Sequence, residues 1–201
     1  MFEQQSLLMD QKEAPEINIS GLTYIPDFIS AQEQDLLLSQ IDQQLWLTDL
    51  KRRVQHYGYK YDYKARTVGN DAYLGLLPDW LSAISTKLHN DGIFPSIPDQ
   101  VIVNEYLPGQ GISAHIDCVP CFADKISSLS LGSPCVMEFF NPKTGEKKFI
   151  TLRERSLIVL SGPVRYEWQH AIPARKSDVI YGIKTERARR VSLTFRNVVL
   201  N

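Results

Sequence analysis

From Gln100 onward the chain consists of short runs rich in Val, Ile, Leu and Phe, separated by turn signals such as PGQG (108–111) and NPKTGE (141–146). Apolar runs of this length, punctuated by Gly, Pro and Asn, form strands. The pattern predicts strands at about 100–107, 112–117, 126–131, 135–140, 147–152, 156–160, 165–171 and 189–199. Two helices precede them. SAQE at 30–33 has the form of a capping box, and Leu37, Ile41 and Leu45 then mark one helix face. Trp80, Leu81, Ile84 and Leu88 share a face over 79–90, and NDG at 90–92 ends that helix. So many short strands must bury their apolar faces against one another. The expected class is therefore α+β, mainly β: a double-sheet jelly roll with N-terminal helices packed on one sheet.

At 201 residues and 43% hydrophobic, the chain can bury one sizeable core. The expected organisation is a loose tail over 1–15 and one domain over 16–201, whose jelly-roll core spans 100–199. No apolar run approaches the ~20 residues of a membrane span, and the start MFEQQSLLMDQKEAPE is too polar and acidic for a secretory signal. A cytoplasmic monomer that does not engage membranes is expected. Cys118, Cys121 and Cys135 are an odd number, which excludes a closed disulfide framework and fits a reducing compartment.

The net charge of −1 excludes a uniformly basic nucleic-acid binder, but the charge is unevenly spread. Residues 51–66 hold Lys51, Arg52, Arg53, Lys60, Lys64 and Arg66 against Asp62, and residues 175–196 hold seven Lys or Arg against two acids. If these segments meet they make a polyanion-binding face; if not, they are two solvated surfaces. Within the first, RRVQHYGYKYDY puts a tyrosine at every second position from Tyr57 to Tyr63, the spacing of one strand face.

The chemistry-bearing residues lie on the predicted strands. In HID, His115 and Asp117 point to the same side of a strand, and His170 in YEWQH supplies a third donor. Two histidines and a carboxylate around open positions suit non-haem Fe(II) that must still bind a co-substrate and O2. In RRVSLTFR, Arg190 and Arg196 lie six apart on one face with Ser192 and Thr194 between them. Two inward arginines in an apolar strand need anionic partners, and a dicarboxylic acid reaching from the metal inward satisfies both. Asn104 and Tyr106 in NEY add an amide and a phenol to the lining. Trp168, two residues before His170, reads as core.

A zinc site of His115, Cys118 and Cys121 is the competing reading, because CVPC has metal-ligand spacing. Zinc deaminases, however, combine H-x-E with P-C-x-x-C, whereas here the acid is Asp117 and that same residue precedes Cys118. A thioredoxin-like redox motif would open a helix in a βαβ unit, and none is apparent. A non-catalytic nucleic-acid-binding module would have no use for Arg190 and Arg196 beside a complete metal triad. Cys118 and Cys121 are expected in a loop beside the metal.

The array VNEYLPGQGISAHID, SLSLG, WQHAIP and RRVSLTFR resembles the AlkB family of Fe(II)- and 2-oxoglutarate-dependent dioxygenases over roughly residues 20–199. RRVQHYGYKYDY, CFADKISSLSLGS and RYEWQHAI are most similar to the branch whose oxygenase domain is fused to a tRNA methyltransferase. The resemblance implies a double-stranded β-helix, with Fe(II), 2-oxoglutarate and O2 as cofactor and co-substrates. It implies His115, Asp117 and His170 as iron ligands. It assigns Asn104, Tyr106, Arg190, Ser192 and Arg196 to 2-oxoglutarate, with Arg196 at the metal end and Arg190 on the distal carboxylate. The expected partner is nucleic acid, DNA or RNA, including tRNA. Oxidation of an N-methyl group on a base would release formaldehyde; oxidation of carbon would leave a hydroxyl, as on a wobble uridine.

The resemblance also implies a nucleotide-recognition lid over 51–66. Tyr57 and Tyr59 would stack on an extruded base, Arg52 and Arg53 would meet phosphates, and Tyr61 and Tyr63 are divided between core and substrate. DNA-repair members place an acid two positions after the iron-binding aspartate, where this chain has Val119. Base discrimination then falls to Asp124, or the substrate is a uridine or a protein instead of a methylated adenine or cytosine.

Overall fold

The computed structural model describes residues 18–48, 50–69 and 71–200, so the expected tail lies outside the described residues. After β1 (Leu22–Ile25), α1 (Ala31–Asp42) starts at the capping box. Ser30 Oγ accepts from the Glu33 amide at 3.2 Å, and Glu33 Oε2 accepts from the Ser30 amide at 2.8 Å. Leu37 and Ile41 are buried as the helical period requires, but Leu45 lies beyond the helix end and is 93% exposed. β2 (Val54–Tyr57) follows, then α2 (Asp79–Asn90), whose Leu81, Ile84 and Leu88 are buried.

The strand-rich half contains β3 (Gln100–Tyr106), β4 (Ile112–His115), β5 (Phe122–Gly132), β6 (Cys135–Phe140), β7 (Lys147–Leu152) and β8 (Leu157–Leu160). It closes with α3 (Gly162–Glu167), β9 (Gln169–Ile172), β10 (Ser177–Ile180), β11 (Ile183–Glu186) and β12 (Arg190–Val198). A six-stranded sheet in the order β1-β8-β5-β12-β3-β2 faces a four-stranded sheet in the order β4-β9-β6-β7, and β10-β11 form a separate hairpin. All pairings are antiparallel, giving the expected jelly roll.

Strand alternation decides what each face of the large sheet carries. Val191, Leu193 and Phe195 of β12, with Val101 and Val103 of β3, pack against α1 and α2. The opposite face turns toward the small sheet, and the register sets Arg190 beside Tyr106, Ser192 beside Asn104 and Arg196 beside Gln100. Tyr106, Met137, Phe139, Leu152, Ile158 and Trp168 fill the space between the sheets.

Several expectations are corrected. The strand expected over 165–171 begins only at Gln169, because Gly162 and Pro163 start a helical turn that carries Arg165 inward. The strand expected over 112–117 stops at His115, so Asp117 sits in the turn after it. Cys118 and Cys121 are joined in a disulfide and Cys135 is free, although the odd number of cysteines pointed to a reducing compartment.

The tyrosine row also breaks. β2 ends at Tyr57, and Gly58 turns at φ +74°, where a Cβ would stand 1.8 Å from the Asp99 carbonyl oxygen. The four tyrosines therefore do not share a face.

Candidate active site

His115 and His170 are register partners on β4 and β9, which brings their ring centroids within 4.4 Å. Asp117, in the turn beyond β4, places Oδ2 3.9 Å from His170 Nε2. His115 Nδ1 lies 2.8 Å from the Ser113 carbonyl oxygen, which can only accept, so Nδ1 donates and the ring is held in orientation. Burial pushes the pKa of His170 down to about 4, and His115 beside it acts in the same direction, so its imidazole is neutral near pH 7. Burial favours the protonated form of Asp117, but the Arg196 guanidinium and the two histidines outweigh it and hold the carboxyl well below its ordinary range. Two imidazoles beside one ionised carboxylate are the donor chemistry of a divalent cation site.

The donors are gathered but not closed into a cage. Among the described residues no three His, Cys, Asp or Glu side chains converge tightly enough to hold an ion unaided. Arg196 Nη2 donates to Asp117 Oδ1 at 2.8 Å, so the carboxylate has an arginine partner.

At the other end of β12, Arg190 is 3% exposed and donates from Nη2 to Ser130 Oγ at 2.8 Å. Its Nε and Nη1 are buried and have no hydrogen-bond partner among the described residues, as is also true of Arg196 Nε. A buried guanidinium left unpaired is costly, and a carboxylate supplies the missing acceptors. Arg190 lies 5.4 Å from the Tyr106 ring centroid, and burial pushes the Tyr106 phenol upward in pKa, which keeps it a proton donor. Arg190 and Arg196 stand about 20 Å apart along the strand, and both side chains turn inward. The unpaired nitrogens of Arg190 suit a carboxylate of 2-oxoglutarate, as the two histidines and the aspartate suit iron. Asn104 and Ser192 line the intervening space, 7% and 4% exposed.

The expected substrate residues separate. Tyr57 faces the helices, meets Trp80 edge-on at 5.4 Å, and is pushed up to about 12 in pKa by burial. It lies on the sheet face away from the metal donors, because its register partner is Val101. Arg53 turns the same way, stacks 4.4 Å over Trp46 and pairs with Glu105. Arg189 pairs with Glu105 and with Asp42, while Arg175 and Arg187 share buried Asp178. The two basic segments meet at Glu105, which pairs with Arg53 of one and Arg189 of the other, so these cations are matched by acids among the described residues. Asp124 accepts from the Gly162 amide at 2.8 Å and caps the start of α3. Tyr59 rests against Tyr73 with ring centroids 5.1 Å apart.

Arg52 reaches the inner face instead of a phosphate track. Its Nε donates to Asn104 Oδ1 at 2.9 Å, and its guanidinium lies 5.8 Å from the Tyr106 ring and 5.9 Å from the Tyr63 ring. Tyr63 meets His56 and Tyr61 edge-on.

Arg165 was not among the expected site residues. It is 2% exposed, and its terminal nitrogens donate to the carbonyl oxygens of Asp117 and Cys118 at 2.9 and 3.2 Å. An arginine between Val164 and Tyr166 in PVRYEW is the signal available in the sequence.

A family model described as the 2OG-Fe(II) oxygenase superfamily matches residues 21–196. The chain is 40% identical over 209 residues to the Alkylated DNA repair protein ALKBH8 homolog of Arabidopsis thaliana, covering 91% of this chain and 60% of that protein. It is 40% identical over 205 residues to the tRNA (carboxymethyluridine(34)-5-O)-methyltransferase ALKBH8 of Mus musculus, covering 89% and 30% respectively. The chain thus spans less than two thirds of either relative's length. The solved structure of OsALKBH1 shares the fold, with a TM-score of 0.68 over 90% of this chain and 99% of that one at 16% identity. With the family model covering nearly all described residues and 40% identity to AlkB relatives, the chain belongs to the AlkB family of the 2OG-Fe(II) oxygenase superfamily, dioxygenases that use Fe(II), 2-oxoglutarate and O2.

Proposed function

We propose that the chain oxidises an alkyl substituent on a nucleic-acid base, with N-demethylation as the leading reaction. His115, Asp117 and His170 would hold the iron. Arg190, Tyr106, Asn104, Ser192 and Arg196 would hold 2-oxoglutarate. The observation that carries this reading is the buried Arg190 guanidinium with two unpaired nitrogens, on the same strand face as the arginine that touches the metal-binding aspartate. When bound, the iron and its co-substrate supply oxidation of a C–H bond by O2 coupled to decarboxylation to succinate.

The protein's own residues do the rest. Arg165 fixes the backbone carbonyls of the aspartate and of Cys118 after it, and Ser113 fixes the orientation of His115. Phe122 and Phe139 flank Arg196 and His170 with apolar surface that limits water around the oxidant. On the open side, Arg52, His56 and Tyr63 form a polar, aromatic wall able to stack on an extruded base and hydrogen-bond its edge.

Hydroxylation of a tRNA uridine substituent is the second reading, supported by one specific feature. Val119 is half exposed, and the nearby carboxylate of Asp124 is engaged with the Gly162 amide, so neither reads an alkylated base as an acid would. The likeness to a carboxymethyluridine methyltransferase points the same way.

The test is to incubate Fe(II)-loaded protein with 2-oxoglutarate and, separately, methylated single-stranded DNA, methylated RNA and bulk tRNA, following succinate and nucleoside masses. Loss of a methyl mass supports demethylation, and gain of one oxygen on a tRNA uridine supports the second reading. Succinate with no altered nucleoside in any arm would overturn both.

A further inference from the structure

The disulfide of Cys118 and Cys121 lies immediately after the metal-binding aspartate, with 5.3 Å between the Cα atoms. Both sulfurs rest against one atom of another segment: the Arg66 carbonyl oxygen lies 3.2 Å from Cys118 Sγ and 3.6 Å from Cys121 Sγ. Arg66 belongs to the 58–69 loop that leaves the aromatic wall. Val68, Tyr59 and Tyr61 of that loop pack with Cys118, Cys121 and Phe122 in one small apolar cluster. From behind, Arg165 holds the Asp117 and Cys118 carbonyls. The sulfur pair is therefore wedged between the metal-binding turn and the loop.

The two redox forms make different bonds with Arg66. A disulfide sulfur has no proton, so the carbonyl is only in contact with it. A thiol at the same position donates an S–H···O hydrogen bond. We propose that Cys118 and Cys121 are a reversible thiol-modification site, in which the dithiol fastens the 58–69 loop to the metal-binding turn by hydrogen bonds and the disulfide leaves it held by packing alone. The reaction is exchange with a low-molecular-weight disulfide. One cysteine thiolate attacks it and expels a thiol, and the second cysteine then displaces the remaining half. The protein loses two protons and two electrons, and the small disulfide becomes two thiols.

The effect on substrate rests on the function proposed above, which sets this loop beside the base; the redox chemistry and its effect on the loop do not. Lys60, Lys64 and Arg66 give the loop three trypsin sites. The full chain, loaded with Mn(II) to avoid iron oxidation, is treated with dithiothreitol or with glutathione disulfide. Alkylation under denaturing conditions should modify three cysteines in the first sample and one in the second. Tryptic cleavage in the loop should be roughly fivefold faster in the oxidised sample, equivalent to about 1 kcal/mol. The variant C118S/C121S, whose hydroxyls donate in place of the thiols, should be cut at the reduced rate under both treatments. Equal cleavage in the two wild-type samples, or three alkylated cysteines after oxidation, overturns the proposal. With Fe(II), oxidation should lower nucleic-acid-dependent succinate formation and spare the basal rate. A cleavage difference without that loss upholds the redox site and overturns only the loop's assignment to substrate.

Discussion

Arg196 and Asp117 form an ion pair at 2.8 Å with both side chains 9% exposed, so the arginine bonds the very carboxylate proposed above as an iron ligand. Removing one partner of a buried pair leaves the other charge uncompensated. Asp117→Ala should abolish succinate formation and lower stability by about 3 kcal/mol. Asp117→Asn, which retains a hydrogen-bond acceptor for Arg196, should abolish turnover with a smaller stability loss. Succinate formation and urea unfolding of both variants check this, and normal turnover by either would remove Asp117 from the metal site.

Arg190→Met should raise the KM for 2-oxoglutarate roughly ten- to a hundredfold, the weight of about 1.5–3 kcal/mol for a charged hydrogen bond. Because the variant removes a buried, half-satisfied guanidinium, its unfolding midpoint should hold or rise. Initial rates against 2-oxoglutarate and thermal melts separate the two effects.

Tyr57→Ala should act on the fold and not on substrate. Its ring packs on Trp80 among the helix-facing residues, and truncation of a half-buried aromatic costs roughly 2 kcal/mol. Arg52→Gln, in contrast, should leave the melting temperature close to that of the parent and reduce nucleic-acid-dependent turnover. Comparing melts with turnover in the two variants would reveal a reversed order, which would return Tyr57 to the substrate surface.

Acid stability should depend on Glu105. Burial raises its pKa, but hydrogen bonds from Arg53 and Arg189 outweigh this and leave it below the ordinary 4.5. A folded-state pKa below the unfolded value contributes stability that is present above the unfolded pKa and lost as pH falls through the folded one. Unfolding free energy should therefore decline as pH drops below about 5. Glu105→Gln should be less stable at pH 7 and show a flatter decline, measured by urea unfolding across that range.

Much of the candidate site's arrangement was readable because strand alternation is a local rule. RRVSLTFR with period two sets Arg190, Ser192 and Arg196 on one face whatever the sheet order, and NEY does the same for Asn104 and Tyr106. The same rule misled at HID, where His115 ends the strand and Asp117 reaches the site from a turn. It misled again at the tyrosine row, because Gly58 bends where the Asp99 carbonyl leaves no room for a side chain. Arg53 could be read as basic but not as neutralised, since Glu105, its partner, comes from β3.

What the sequence by itself determined was most of the strands between Gln100 and Val198, the capped first helix and the residue types of a two-histidine, one-carboxylate candidate site with two inward arginines. These follow from periodicities and cap chemistry that act within a few residues. Only the tertiary structure decided that His115 and His170 pair across β4 and β9, and that Arg165 grips the metal-binding turn. It also turned Arg52 inward and Arg53 outward, and joined Cys118 to Cys121 beneath Arg66. Each of these depends on which distant segments share an edge or a buried space, and that is fixed by sheet order and packing, which no local pattern encodes.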